Sequence, residues 1–206
     1  MRSENLYPTV VDKFEHLFNV MKSDRFLNRQ GLGNEVPFFI CPYAPKDSIE
    51  MEAGIDKYLT KRLKLEKNID IIHLNLYDLS IEILQEQDNV WDEIIGNEDS
   101  LERDEIFEVL QNSLNAEEFL IPKIAQKIEG KKFDIFFLSG VGAVYPYIRS
   151  HTVLNNLQST IKDKPTVLFF PGEYSYSESK GRSLNLFGLF EDDQYYRAFN
   201  IFDYQI

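Results

Sequence analysis

A single cysteine, Cys41, stands in a chain of 206 residues, so no disulfide can form within it. Histidine is also scarce: His16, His73 and His151 are the full set, and they do not fall at metal-ligand spacing. No apolar stretch approaches the roughly 20 residues a membrane-spanning helix needs, and the opening MRSENLYPTV lacks the apolar run of a secretion signal. These absences predict a cytoplasmic protein with no membrane association. No Gly/Ser-rich or Pro-rich linker, repeat or low-complexity tract divides the sequence, which predicts one domain over residues 1–206. Positive charge is in deficit, with 22 Lys and Arg against 34 Asp and Glu. The basic stripe of a phosphate-gripping protein is missing, so direct nucleic-acid binding is disfavoured.

What the chain has is aromatic bulk and one concentrated block of acid. Sixteen Phe and 11 Tyr promise a large core. Residues 77–118 carry 14 Asp or Glu and one basic residue, Arg103, so that segment holds a net −13 and the remainder +1. Its apolar spacing predicts helical patches at Leu79–Gln85, Val90–Ile95 and Leu101–Leu110, an acidic helical insertion within the domain. It reads as a solvated face or as a surface for a basic partner.

Apolar runs alternate with helical patterns along the rest. Val36–Tyr43, Ile69–Asp78, Phe133–Gly140 and Pro165–Gly172 read as buried strands. Helices are expected over Pro8–Leu27, from Asp47 to about Leu65, from Asn115 to Gly130 and over Ser150–Ile161, with Pro122 marking a kink or break in the third. GLGNE ends the first helix, and the tail is expected to hold a strand or hairpin, a helical turn and a last strand. Continuous apolar strands separated by helices predict a three-layer α/β/α sandwich with a mainly parallel sheet of about five strands, Rossmann-like or degenerate P-loop-like without a Walker A motif. Ligands of such sheets sit beyond the carboxyl ends of the strands. Here those ends are CPYAPKDS, NLYDLS, SGVGAVYP and PGEYSYS.

The motifs at these ends are chemically thin. Ser139, Gly140 and Gly142 form a glycine-bearing turn that reads either as a nest of N–H groups for an anion or as a tight turn needing a positive φ. No Lys-Ser/Thr follows, and neither a Walker loop nor GxGxxG is present. Lys46-Asp47-Ser48 resembles the end of a phosphate loop only superficially, since proline replaces its glycines. Cys41, His73 and His151 invite a thiol–imidazole dyad, with Cys41 and His73 near strand ends; the plainer reading is a buried thiol and a sheet histidine. Asp78 and Glu173 fall at carboxyl ends, whereas Asp134 opens its strand on the opposite edge. His151, Asn155 and Gln158, at i, i+4 and i+7 with Arg149 beside them, form a polar row on one helix face. That row suits a partner or anion, or is simply solvated. Tyr145, Gly172, Glu173 and Tyr174 complete the candidate surface. No catalytic residue, cofactor or metal is assigned.

The ordered strings FLSGVGAVYPYIRSHTVLNNLQ, PTVLFFPGEY, SLNLFGLF and YYRAFNIFDY, with FFICPYAPKDSIE and NLYDLSIEIL before them, resemble the BrxB proteins of bacterial BREX (bacteriophage exclusion) defence systems. The resemblance covers nearly the whole chain. It implies a non-enzymatic, protein-binding or scaffold component, with a PglZ-like protein as the expected partner and the system's ATPase or methyltransferase as further ones. The family brings no catalytic residues to transfer. The loop SYSESKGRSLN departs from it in being longer and more polar. The other reading is a degenerate nucleotide-binding or hydrolase domain using the loops after the third and fourth strands.

Overall fold

A computed structural model describes residues 7–30, 37–97, 100–177, 181–192 and 198–205. The expected GLGNE break and Glu178–Lys180 of the polar loop lie outside these residues.

Helix α1 (Val10–Met21) opens on a capping box in which the Thr9 hydroxyl accepts from the Asp12 N–H at 3.1 Å and the Asp12 carboxylate accepts from the Thr9 N–H at 3.2 Å. The first expected helix is in fact two, because Ser23 caps a separate turn, α2 (Asp24–Leu27). Strand β1 (Phe38–Tyr43) leads through one 3-10 turn into α3 (Ser48–Gly54), a π-helical stretch Ile55–Thr60 and α4 (Lys61–Lys67). Asn68, in the left-handed region at φ 55°, ends that run.

Strand β2 (Ile71–Asn75) is shorter than expected. The Asn75 side chain accepts from the Tyr77 N–H at 2.8 Å and caps α5 (Leu76–Glu86), so Tyr77 and Asp78 are helical. The acidic stretch continues as α6 (Val90–Asn97) and α7 (Arg103–Ser113). Asn115 then caps a π-helical turn, Ala116–Leu120, that runs into α8 (Ile121–Ile128). Pro122 therefore follows an irregular turn, as a residue without an N–H and with a bulky ring requires. Strand β3 (Ile135–Ser139), the short α9 (Val141–Val144) and α10 (Ser150–Thr160) come next. Strand β4 (Thr166–Ser177) is longer than expected: beyond Pro171 it leaves the main sheet and pairs antiparallel with β5 (Gly181–Leu186), which pairs with β6 (Phe190–Asp192). Strand β7 (Phe199–Asn200) closes the sheet.

The main sheet is parallel, in the order β2-β3-β4-β1-β7. Crossovers between parallel strands are right-handed. The connection from β1 to β2 runs one way across the sheet and those from β2 to β3 and β3 to β4 run the other. Their helices therefore cover opposite faces. Two apolar clusters result: α1–α4 pack on Phe39, Cys41, Phe137, Val167 and Phe169, and α5 and α8–α10 pack on Phe38, Ile40, Phe136, Leu138 and Leu168. The fold is the three-layer α/β/α sandwich with a five-stranded parallel sheet and an added hairpin.

Candidate functional site

The period-2 alternation that divides the core also chooses which polar groups meet. On the α1–α4 side, β2 carries Ile71, His73 and Asn75 in succession, and β3 carries Ile135, Phe137 and Ser139. The parallel register sets Asn75 opposite Ser139. On the same face Tyr43 follows Phe39 and Cys41 at the end of β1. The last apolar position of each strand thus gives way to a polar one at the carboxyl edge, under the start of α3.

Glu52, on α3, joins these groups. One carboxylate oxygen, Oε2, accepts from the Ser139 hydroxyl at 2.8 Å and from Asn75 Nδ2 at 3.1 Å; Oε1 accepts from the Gly140 N–H at 3.0 Å. Ser139 Oγ in turn lies 2.9 Å from His73 Nε2 and 3.3 Å from Asn75 Nδ2. With its proton on Glu52, the Ser139 hydroxyl is an acceptor toward His73, and it is fully buried, out of reach of a substrate. Burial lowers the His73 pKa, an effect partly opposed by the charges of Glu52, Asp56 and Asp78. Gly140 has φ +78°, and a Cβ there would overlap the Asn75 side chain and reach within 3.0 Å of the Leu76 nitrogen. Both the conformation and the close approach require glycine.

Of the two readings of Ser139-Gly-Val-Gly142, the tight turn with a positive φ is the one observed, and its Gly140 N–H is taken by a carboxylate of the same chain. A cavity of about 280 Å³ opens beside this knot. Tyr43, Ser48 and Glu52 line it from the end of β1 and α3, Asn75 and Tyr77 from the end of β2, Gly140, Gly142 and Ala143 from the end of β3, and Pro171 and Phe187 from the hairpin side. A Cβ on Gly142 would lie 2.9 Å from the Phe187 ring and 3.0 Å from Pro171, so this glycine also lets the hairpin close on α9. Burial first, then the Glu52 charge, pushes the Tyr43 hydroxyl pKa up, against a lowering hydrogen bond with Ser48.

Other candidates lie elsewhere. Cys41 and His73 are not neighbours, because β4 and β3 stand between β1 and β2. Cys41 is fully buried, and burial drives its thiol pKa far up; His151 is on α10 in the opposite layer. Pro45–Asp47 forms a 3-10 turn in which the Ser48 hydroxyl donates to the Pro45 carbonyl at 2.7 Å, and Asp47 pairs with Lys13 at 3.6 Å, so Lys46-Asp47-Ser48 builds no phosphate loop. Asp78 is exposed in the first turn of α5, and the Asp134 carboxylate accepts from the Asp70 N–H at 2.8 Å on the amino edge. No metal-holding group of three or more His, Cys, Asp or Glu occurs among the described residues.

His151, Asn155 and Gln158 follow one face of α10, which packs on α8 and the turn before it, and exposed Arg149 sits at its N-cap. Gly172 and Glu173 pair with Leu186 and Asn185 in the hairpin, where a Cβ on Gly172 would overlap the Asn185 carbonyl. The Tyr174 hydroxyl donates to the Ala198 carbonyl at 2.8 Å, and the Tyr145 ring lies 4.8 Å from that of Phe190. Of the candidate surface, only Ser139, Gly140 and Gly142 belong to the Glu52 site. Glu52 itself escapes sequence reading. Its one signal is the i, i+4 spacing from Ser48 on the helix that follows the first strand.

Fold and site define a three-layer α/β domain whose carboxyl-edge loops are tied together by one carboxylate. The family profile described as BREX protein BrxB matches residues 72–201. A BREX protein BrxB from Bacillus cereus (strain H3081.97) is 34% identical over 93% of this chain and 97% of its own length, and one from Escherichia coli O9:H4 (strain HS) is 27% identical over 94% and 92%. The chain belongs to the BrxB family. No solved structure matches it.

Proposed function

We propose that this protein is a non-catalytic, protein-binding subunit of a BREX anti-phage defence system and docks on its PglZ-like member. Family membership supports the defence role. The observation that carries the non-catalytic reading is the closed hydrogen-bond set around Glu52: Ser139, Asn75 and the Gly140 N–H all spend their donors on it. Ser139 is itself fully buried and the Gly140 N–H is taken, so among the described residues neither offers a substrate a free nucleophile or donor at the edge where α/β sheets bind ligands.

Co-expression with the other components of the system, followed by size exclusion, tests the proposal. Co-elution with the PglZ-like protein is expected. Elution alone, with phage resistance intact after deletion of the gene, would overturn it. Arg149→Glu, a change at an exposed position, is expected to weaken co-elution about tenfold, as charge reversal at a docking surface does. Its thermal unfolding should match the parent, and unaltered association would remove Arg149 from the interface.

The cavity's position at the strand ends favours a second reading, a degenerate nucleotide binder. Calorimetry with ATP, GTP and NAD separates the two: saturable heat supports the second reading, and none is expected from the first.

A further inference from the structure

The cavity beside Glu52 has a chemistry that the docking proposal does not specify. Its walls are aromatic and apolar, from Tyr43, Tyr77, Pro171 and Phe187, and its charged group is the Glu52 carboxylate. Glu52 makes no ion pair among the described residues. Lys13, from α1, is engaged by Asp47. Neutral donors alone compensate the carboxylate, and they fill three of its roughly four acceptor positions. A half-buried carboxylate with an unfilled acceptor position, in a cavity lined by aromatic side chains, suits a flat organic cation. The rings attract it through their quadrupoles, and the carboxylate supplies a charge-assisted hydrogen bond. Phosphate-bearing ligands are repelled by the same charge. One carboxylate without further oxygen ligands is also a poor site for a hard metal ion.

The rim points to a protein as the source of that cation. Tyr77, at the mouth, is 51% exposed, and the hairpin turn that brings in Phe187 continues to Leu189 and Phe190, which are 77% and 44% exposed. Exposed apolar side chains beside a small pocket with one charged group are the pattern of an interface anchor, in which an apolar surround keeps water from one buried charged contact. Resting on the protein-binding reading above, we propose that this cavity is a socket for an arginine side chain presented by the partner protein, held by Glu52 between the Tyr43, Tyr77 and Phe187 rings.

The test titrates the whole protein with N-acetyl-arginine amide, with its uncharged isostere N-acetyl-citrulline amide, and with free agmatine, following backbone amide shifts by NMR. The arginine compound is expected to shift Gly140, Asn75 and Tyr77, and to bind about tenfold more tightly than the citrulline compound, the scale of one charge-assisted contact. Glu52→Gln should lower arginine binding about tenfold and weaken co-elution with the partner. If that variant does not fold, the citrulline comparison on the parent protein decides. Equal binding of the two amides, or no shift with either, would overturn the socket. Agmatine binding about tenfold more tightly than the capped arginine would overturn the partner as its source. A lost socket alongside an Arg149→Glu variant that still impairs co-elution would leave the docking reading standing. Failure of co-elution by the parent protein would instead sink the docking reading.

Discussion

The two helical layers of this protein are built to different depths. On one face α1 buries Val10, Phe14, Leu17, Phe18, Val20 and Met21, and α3 fits so closely that a Cβ on Gly54 would overlap the Phe14 ring. On the other face α5 is anchored by Leu76, Leu79, Ile83 and Leu84, but the acidic helices beyond it are shallow: α6 has no buried residue and α7 only Ser113. The charge imbalance follows that depth. Acidic side chains accumulate where helices ride on the outside of a layer and are screened by solvent. The first layer therefore carries much of the stability, and the outer part of the second is free to vary in sequence and charge.

The largest expected difference between the layers comes from matched truncations. Leu17→Ala should cost about 2–5 kcal/mol, whereas Ile94→Ala on α6 should cost about 1 kcal/mol, because the first is fully buried and the second only half. Urea unfolding measures both, and equal losses would break the contrast. Next in size is Gly140→Ala, which forces a side chain into φ +78° and against Asn75. A loss of about 2–3 kcal/mol is expected, from a glycine that touches both layers through Glu52.

A smaller effect should appear with pH. His73 has its folded pKa lowered from 6.5, so the unfolded chain binds more protons between 6.5 and that lower value. Stability is therefore retained above that window and falls as pH drops through it. Half-buried His16, also lowered by burial, adds to the slope. Urea unfolding at about pH 8 and about pH 5.5, either side of the ordinary histidine value, should show a smaller loss for His73→Gln than for the parent. An identical loss would place the effect elsewhere. The smallest change in stability belongs to Arg149→Glu, within about 0.5 kcal/mol as for exposed positions generally, even though its proposed effect on partner binding is large.

Much of the fold was legible because it rests on local pattern. Phe38–Tyr43, Ile135–Ser139 and the start of β4 are unbroken apolar runs, and only a sheet covered on both faces buries such runs completely. The errors have physical causes. Leu76–Asp78 looked like the end of a strand, but Asn75 caps a helix there. Strand β4 appeared to stop at Gly172, but that glycine lets the Asn185 carbonyl approach and extends the pairing. Cys41 and His73 are separated by the strand order, in keeping with the plainer reading of a buried thiol and a sheet histidine.

Composition, periodicity and loop chemistry alone established an acidic α/β chain without a phosphate loop, because these are properties of neighbouring residues. The site was decided by tertiary structure. Glu52, Asn75 and Ser139 are far apart in sequence, and they meet only because parallel register and crossover handedness bring them to one edge. No local pattern encodes that distance. The glycine turn, which in the sequence reads as an anion nest or a tight turn, is in three dimensions a positive-φ turn whose Gly140 N–H is held by the protein's own carboxylate.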